Sequence, residues 1–126
     1  MKFLIDTHVL LWHMTDDPKL KNQLSEEIEK EENEIFVSSA SIWEIAIKVS
    51  IKKLNLARSI IEIENYLIEN SFFGLNATYR DFQILSELPF HHNDPFDRLI
   101  ISQAINHNLS VISVDPKFKL YPVQLL

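Results

Sequence analysis

The segment "HHNDPFDRLIISQA" (residues 91–104) sets Asp94 and Asp97 three residues apart, around Pro95, at the head of an apolar run. Two further aspartates end short apolar stretches: Asp6 in "MKFLIDTHVLLW" and Asp115 in "SVISVDPKF". Glu44 lies within "VSSASIWEIAIK". Gathered carboxylates are the oxygen ligands that a hard divalent cation such as Mg²⁺ or Mn²⁺ prefers. Taken singly, each acid has a plainer use. Pro95 suits a first helical position, which makes Asp94 an N-cap and puts Asp97 in the first turn, where the helix dipole favours an anion by about 0.3–1 kcal/mol. Ser41-Ile42-Trp43-Glu44 fits a capping box, and Lys48 offers Glu44 an ion pair at i+4. Asp6 and Asp115 also suit caps, the latter just before Pro116.

The elements that must carry these residues decide between the two uses. Residues 2–5, 34–39 and 110–114 read as strands, with a weaker one at 72–75 and a last short one in "YPVQLL". Helical patterns follow Asp6 and cover 19–32, 41–54, 57–69, 78–87 and 95–107. Such alternation predicts an α/β fold with a mostly parallel sheet, whose ligands bind beyond the carboxyl ends of the strands. Asp6 and Asp115 sit at strand ends, while Glu44 and Asp97 sit early in helices, so all four project at one sheet edge. Carboxylates crowded there repel and raise one another's pKa values, and a divalent cation offsets that repulsion. Capping needs no such convergence, so the pattern favours a metal site.

The 126 residues suit one domain spanning 1–126, large enough to bury a core. The absence of cysteine excludes thiolate nucleophiles and cysteine-held metals, and fits a reducing cytoplasm. Asp6 interrupts the N-terminus too early for a signal-peptide core, and no run approaches membrane-spanning length. A single glycine, Gly74, leaves no phosphate-cradling loop. Net charge is −6, yet Glu26 to Glu34 alone carry −5, leaving −1 for the rest. That run reads as a solvated helix face. His91 and His92 lack a third ligand at zinc spacing, and no serine stands on a nucleophile elbow. Trp12 and Trp43 fit apolar helical patterns.

Together, "MKFLIDTHVLLW", "VSSASIWEIAIK", "HHNDPFDRLIISQA", "SVISVDPKF" and the terminal "YPV" resemble a PIN-domain ribonuclease, specifically the VapC-like toxin of type II toxin–antitoxin pairs. Their order and spacing run from end to end of the chain. The resemblance implies a three-layer fold with about five parallel strands, and Mg²⁺- or Mn²⁺-dependent endonucleolytic hydrolysis of RNA. It implies that Asp6, Glu44, Asp97 and Asp115 form the family's acidic quartet, holding the metal and carrying catalysis. Thr7 and Ser113 match positions where a hydroxyl supports the quartet. It also implies a homodimer and a cognate antitoxin. Relatives in this subgroup tend to have glycine where Lys52 stands, and here Lys52 is expected to prolong the helix.

Lys48, Lys52 and Arg98 are the candidate contacts to RNA phosphates, which carry most of the affinity in such complexes. Outside the glutamate run and the quartet the chain sums to about +3, enough for RNA once metal is in place. The acids do not name the leaving group, so a metal-dependent DNA nuclease or phosphatase is the nearest rival. A non-catalytic binding module, with the acids serving only as caps, is the other.

Overall fold

The computed structural model describes all of residues 1–126. Four parallel strands, β1 (Lys2–Ile5), β2 (Glu34–Ser38), β3 (Phe73–Leu75) and β4 (Ser110–Ile112), form one sheet in the order β3-β2-β1-β4. Six helices surround it: α1 (Thr7–Thr15), α2 (Asn22–Glu29), α3 (Ser39–Ser50), α4 (Ile60–Glu69), α5 (Tyr79–Glu87) and α6 (Pro95–His107). A 3₁₀ turn, Pro116–Leu120, follows β4. The expected α/β class and parallel sheet are borne out. The last expected strand contributes a single parallel bridge, Val111 to Leu125, beside β4.

Alternation along β1 builds the layers. Phe3 and Ile5 face one core with Val9, Leu10, Ile35, Val37, Ile45 and Ile63, while Leu4 faces a second core with Ile100, Ile101, Val111 and Phe118. Because helices cover both faces, the central strands are apolar on both sides, as parallel strands must be. α3 packs against both α1 and α6, which brings their first turns together at one end of the sheet.

Several element ends differ from the sequence-based bounds: α4 starts at Ile60 and not at residue 57, β4 ends at Ile112 and not at residue 114, and both ends of α2 and α3 shift. α2 is limited to Asn22–Glu29, shorter than the charged pattern over 19–32. α3 starts at Ser39 and is capped by Ser38, whose hydroxyl accepts the Ala40 N–H at 3.0 Å. Ser41 lies inside the helix, so the capping box of Ser41 with Glu44 does not form and Glu44 is free for other contacts. At its other end α3 stops at Ser50, because Lys52 adopts φ 60°, in the left-handed region. The Lys53 N–H bonds the Lys48 carbonyl at 2.8 Å and the Lys52 N–H bonds the Val49 carbonyl at 3.1 Å. This is a Schellman ending, whose left-handed position favours glycine. Lys52 therefore ends the helix instead of prolonging it, and does so against its own conformational preference.

Lys52→Gly is accordingly expected to stabilise the chain by about 1 kcal/mol, the penalty a side chain pays in the left-handed region. Urea denaturation measures this, and a loss of stability on substitution would contradict the assigned conformation.

Candidate active site

The chain runs from β1 to β2 and β3 on one side, then returns to place β4 on the other side of β1. The order thus reverses between β1 and β4, and such reversals open a crevice at the strands' carboxyl ends. Asp6 leaves β1 at that crevice. It is buried, 2 % exposed, with Oδ1 accepting the Val9 N–H at 2.8 Å as the α1 cap. Its Oδ2 accepts the Ser113 hydroxyl, and Ser113 Oγ accepts the Asp115 N–H at 3.1 Å. Burial pushes the Asp6 carboxyl above its ordinary value, against the lowering effect of the Ser113 and Val9 hydrogen bonds. Asp115 caps the 3₁₀ turn, accepting the Lys117 N–H at 2.9 Å.

Glu44 and Asp97 arrive from the helices. Glu44 is buried on α3, and its carboxylate takes the Lys48 ammonium at 2.7 Å. Beside it the Thr7 hydroxyl donates to Ser41 Oγ at 2.9 Å, tying α1 to α3. Trp43 and Phe96 meet edge-to-face, centroids 5.2 Å apart, joining α3 to α6. The Asp97 N–H is bonded to Asp94 Oδ1 at 2.9 Å, so Asp94 caps α6 as expected. The Asp97 carboxyl is pushed up to about 7, by burial first and then by the charges of Asp94, Asp6, Glu44 and Asp115. The structure therefore brings all four sequence-predicted acids within electrostatic reach of one another.

His92 reaches this cluster without having been singled out. The Tyr121 hydroxyl accepts both the His92 N–H and Arg98 Nη1, each at 3.2 Å, which leaves its own proton for His92 Nδ1 at 2.8 Å. Hydrogen then resides on Nε2, which faces Asp97 Oδ2 at 3.3 Å. Burial holds His92 below its ordinary pKa, consistent with a neutral ring donating to Asp97. No spacing rule links residue 92 to residue 121; the adjacent histidines and the terminal "YPV" were the only traces.

A family model described as the PIN domain matches residues 3–123. The chain belongs to the PIN-domain family. Solved structures with the same fold include VapBC2 from Rickettsia felis bound to a DNA fragment from its promoter, with TM-score 0.74 and 19 % identity over 100 % of this chain and 98 % of that one. VapBC-1 from nontypeable Haemophilus influenzae gives TM-score 0.70 and 18 % identity, over 100 % and 97 % of the two chains. A toxin–antitoxin complex from Klebsiella pneumoniae gives 0.64 and 18 %, over 98 % and 94 %. Comparison with curated protein sequences finds no match. No helix is long and apolar enough to cross a membrane.

As a metal site, this PIN domain fits by chemistry more than by closure. Its converging donors are all carboxylate oxygens, and the Asp97 pKa, raised by burial first, is raised further by the negative charge of its neighbours. No three carboxylate or imidazole groups already stand close enough to enclose an ion, so Asp97 and Asp115, both partly exposed, must swing inward to complete a shell. The candidate phosphate contacts fare differently. Lys48 is half committed to Glu44, and Lys52 is exposed beyond the helix end. Arg98 is buried: its guanidinium donates to the Pro89 carbonyl at 2.7 Å and the Leu88 carbonyl at 2.9 Å, and stacks on Phe90 at 3.9 Å. The structure gives Arg98 an internal occupation and no face toward RNA.

Two outcomes follow from this geometry. Arg98→Ala strands two backbone carbonyls and the Tyr121 hydroxyl, and is expected to cost about 2–4 kcal/mol in denaturant unfolding; a change below 0.5 kcal/mol would return Arg98 to the surface role. An acid with a raised folded pKa binds protons more tightly when folded, so stability falls as pH rises from about 4 through about 7. In EDTA at pH 8, Asp97→Asn should therefore be more stable than wild type by about 2 kcal/mol, the full shift being discounted for partial exposure. The gap should close as pH falls toward 4, and equal stabilities at pH 8 would contradict the crowding.

Proposed function

We infer that this PIN domain is a metal-dependent endoribonuclease and the toxin of a toxin–antitoxin pair, hydrolysing RNA phosphodiesters at Asp6, Glu44, Asp97 and Asp115. The observation that carries the reading is the meeting of Asp6, Glu44, Asp97 and Asp115 at the β1–β4 crevice, where burial first and then the neighbouring acids push the Asp97 carboxyl up to about 7. A bound Mg²⁺ or Mn²⁺ supplies a water of lowered pKa and neutralises charge on the phosphoryl oxygens. Asp6, fixed by the Val9 N–H and Ser113, would be the rigid ligand; Asp97, from the first turn of α6, and Asp115, from the cap of the 3₁₀ turn, would complete the hold. His92, through Nε2–H, orients the Asp97 carboxyl. Glu44, steadied by Lys48, completes the shell or aligns the attacking water.

The likeness to toxin–antitoxin complexes supports a cognate antitoxin that blocks the site, and the family expectation of a homodimer goes with it. An apolar groove of about 430 Å³ between α3 and α4, lined by Ile42, Trp43, Ile60, Ile61 and Leu67, offers such a partner a surface. Trp43 is 60 % and Ile61 70 % exposed there, so these helices are not wholly core.

The test is cleavage of total cellular RNA with Mn²⁺, wild type beside Asp97→Asn. We expect cleavage by wild type only, lost in EDTA and reduced at least about 100-fold by the substitution. Equal cleavage by both proteins would reject the assigned site. Parallel assays on DNA and on a small phosphate ester separate ribonuclease from the two hydrolytic rivals, and inactivity on all three would leave a binding module.

A further inference from the structure

A second groove, of about 420 Å³, opens beside the carboxylates, with Ser113 and Asp115 in its wall. Lys19 and Lys21 enter it from the α1–α2 connection and Lys119 from the 3₁₀ turn, over a floor of Leu24, Val114, Leu125 and Leu126. Lys117 lies exposed on the same turn. In a chain with 18 acids against 12 bases, Lys2, Lys30 and Lys48 are ion-paired, whereas these four lysines, like Lys52 and Lys53 at the far end of α3, have no acidic partner, and only these four gather beside the carboxylates. Their charge is therefore uncompensated, and that of Lys117 already reaches His92 at the site.

The turns that carry these lysines are fixed through their backbone. The Lys19 N–H is bonded to Asp17 Oδ1 at 2.9 Å, which fixes the turn that carries Lys19 and Lys21. The turn bearing Lys117 and Lys119 is started by the Asp115 carboxylate itself, so one acid of the quartet sets the position of the basic wall. The bridge from Leu125 to Val111 anchors the floor to β4.

We propose that this groove is the track of the single-stranded RNA backbone where it leaves the carboxylates, with Lys19, Lys21 and Lys119 contacting phosphates that flank the cut. The proposal rests on the ribonuclease reading and names the path of that substrate. No aromatic side chain lines the groove, so it offers no stacking platform and grips phosphates without reading bases. An acidic polypeptide would find the same lysines. Continuity with Asp115 favours RNA, because a strand cut at the quartet must carry a flanking phosphate past this wall.

Fluorescence anisotropy of a labelled single-stranded RNA tests the track, on an Asp97→Asn background with Mg²⁺ so that the strand stays intact. One variant carries Lys19→Ala, Lys21→Ala and Lys119→Ala; its charge-matched control carries Lys2→Ala, Lys30→Ala and Lys53→Ala. All six side chains are exposed, and circular dichroism verifies folding. Three lost contacts to a single strand should flatten the dependence of log affinity on log salt by about 2, with no change in the control. Equal slopes in the two triple variants overturn the track. If wild type still cuts RNA in that case, the ribonuclease reading survives without it. A flattened slope beside a wild type that cuts no RNA upholds the groove as an RNA site and removes the hydrolytic reading. Loss of poly-glutamate binding with an unchanged RNA slope overturns the track in favour of an acidic protein segment.

Discussion

Repulsion among carboxylates at the β1–β4 crevice is the constraint around which the rest of this PIN domain is arranged. Asp6, Glu44, Asp97 and Asp115 come from four separate stretches of chain, with Asp94 beside them, and burial together with their mutual charge holds the Asp97 carboxyl near 7. Ionised groups this close are destabilising unless something positive faces them. The parallel topology supplies part of that compensation automatically. Each strand delivers its carboxyl end to the start of a helix or 3₁₀ turn, where unpaired N–H groups point at the acids. Asp6, Asp94 and Asp115 each accept one of these N–H groups.

The remaining compensation comes from side-chain donors. Ser113 donates to Asp6 from the neighbouring strand end, and Lys48 reaches Glu44 along its own helix. Asp97 has only the Nε2 of His92, at 3.3 Å. That imidazole is itself oriented through Tyr121 by Arg98, which is anchored to the carbonyls of residues 88 and 89. The least compensated acid is thus attached to the most elaborate support. This explains a buried arginine next to an acid it does not pair with: its charge is spent fixing the segment that presents His92.

Much of this was legible in the sequence because it is local. The apolar runs gave β1, β2 and β4, and Pro95 with Asp94 placed α6 to the residue, 95–107. The four acids could be assembled because strand ends and helix starts must meet at one edge of a parallel sheet. What was not legible depended on backbone dihedrals or distant partners. Ser38 won the α3 cap over Ser41 because β2 hands over directly to the helix, leaving no loop residue between them. Lys52 by its type argues for helix, and only the glycine that relatives tend to have at its place pointed toward its left-handed φ. Arg98 reads as a surface cation from its neighbours in sequence, and only the fold turns it toward Leu88 and Phe90. Lys19 and Lys119 are a hundred residues apart, so no window could join them.

Capping and metal binding, which compete as readings of a sequence, are compatible uses of the same side chains in the structure. A carboxylate has two oxygens, and a cap occupies one. Asp6 spends Oδ1 on Val9 and keeps Oδ2 for Ser113 and the crevice; Asp115 spends Oδ1 on Lys117. Asp94 and Asp97 divide the two tasks between them. Asp94 takes the helix N–H, and Asp97, relieved of capping, presents its carboxyl to the other acids. The caps fix Asp6 and the backbone that carries Asp97, while the partly exposed Asp97 and Asp115 carboxyls keep the freedom to swing inward. Asp97, which neither caps a helix nor pairs with a lysine as Glu44 does, is the acid whose charge is least settled, and it is therefore the one on which proton and pH act.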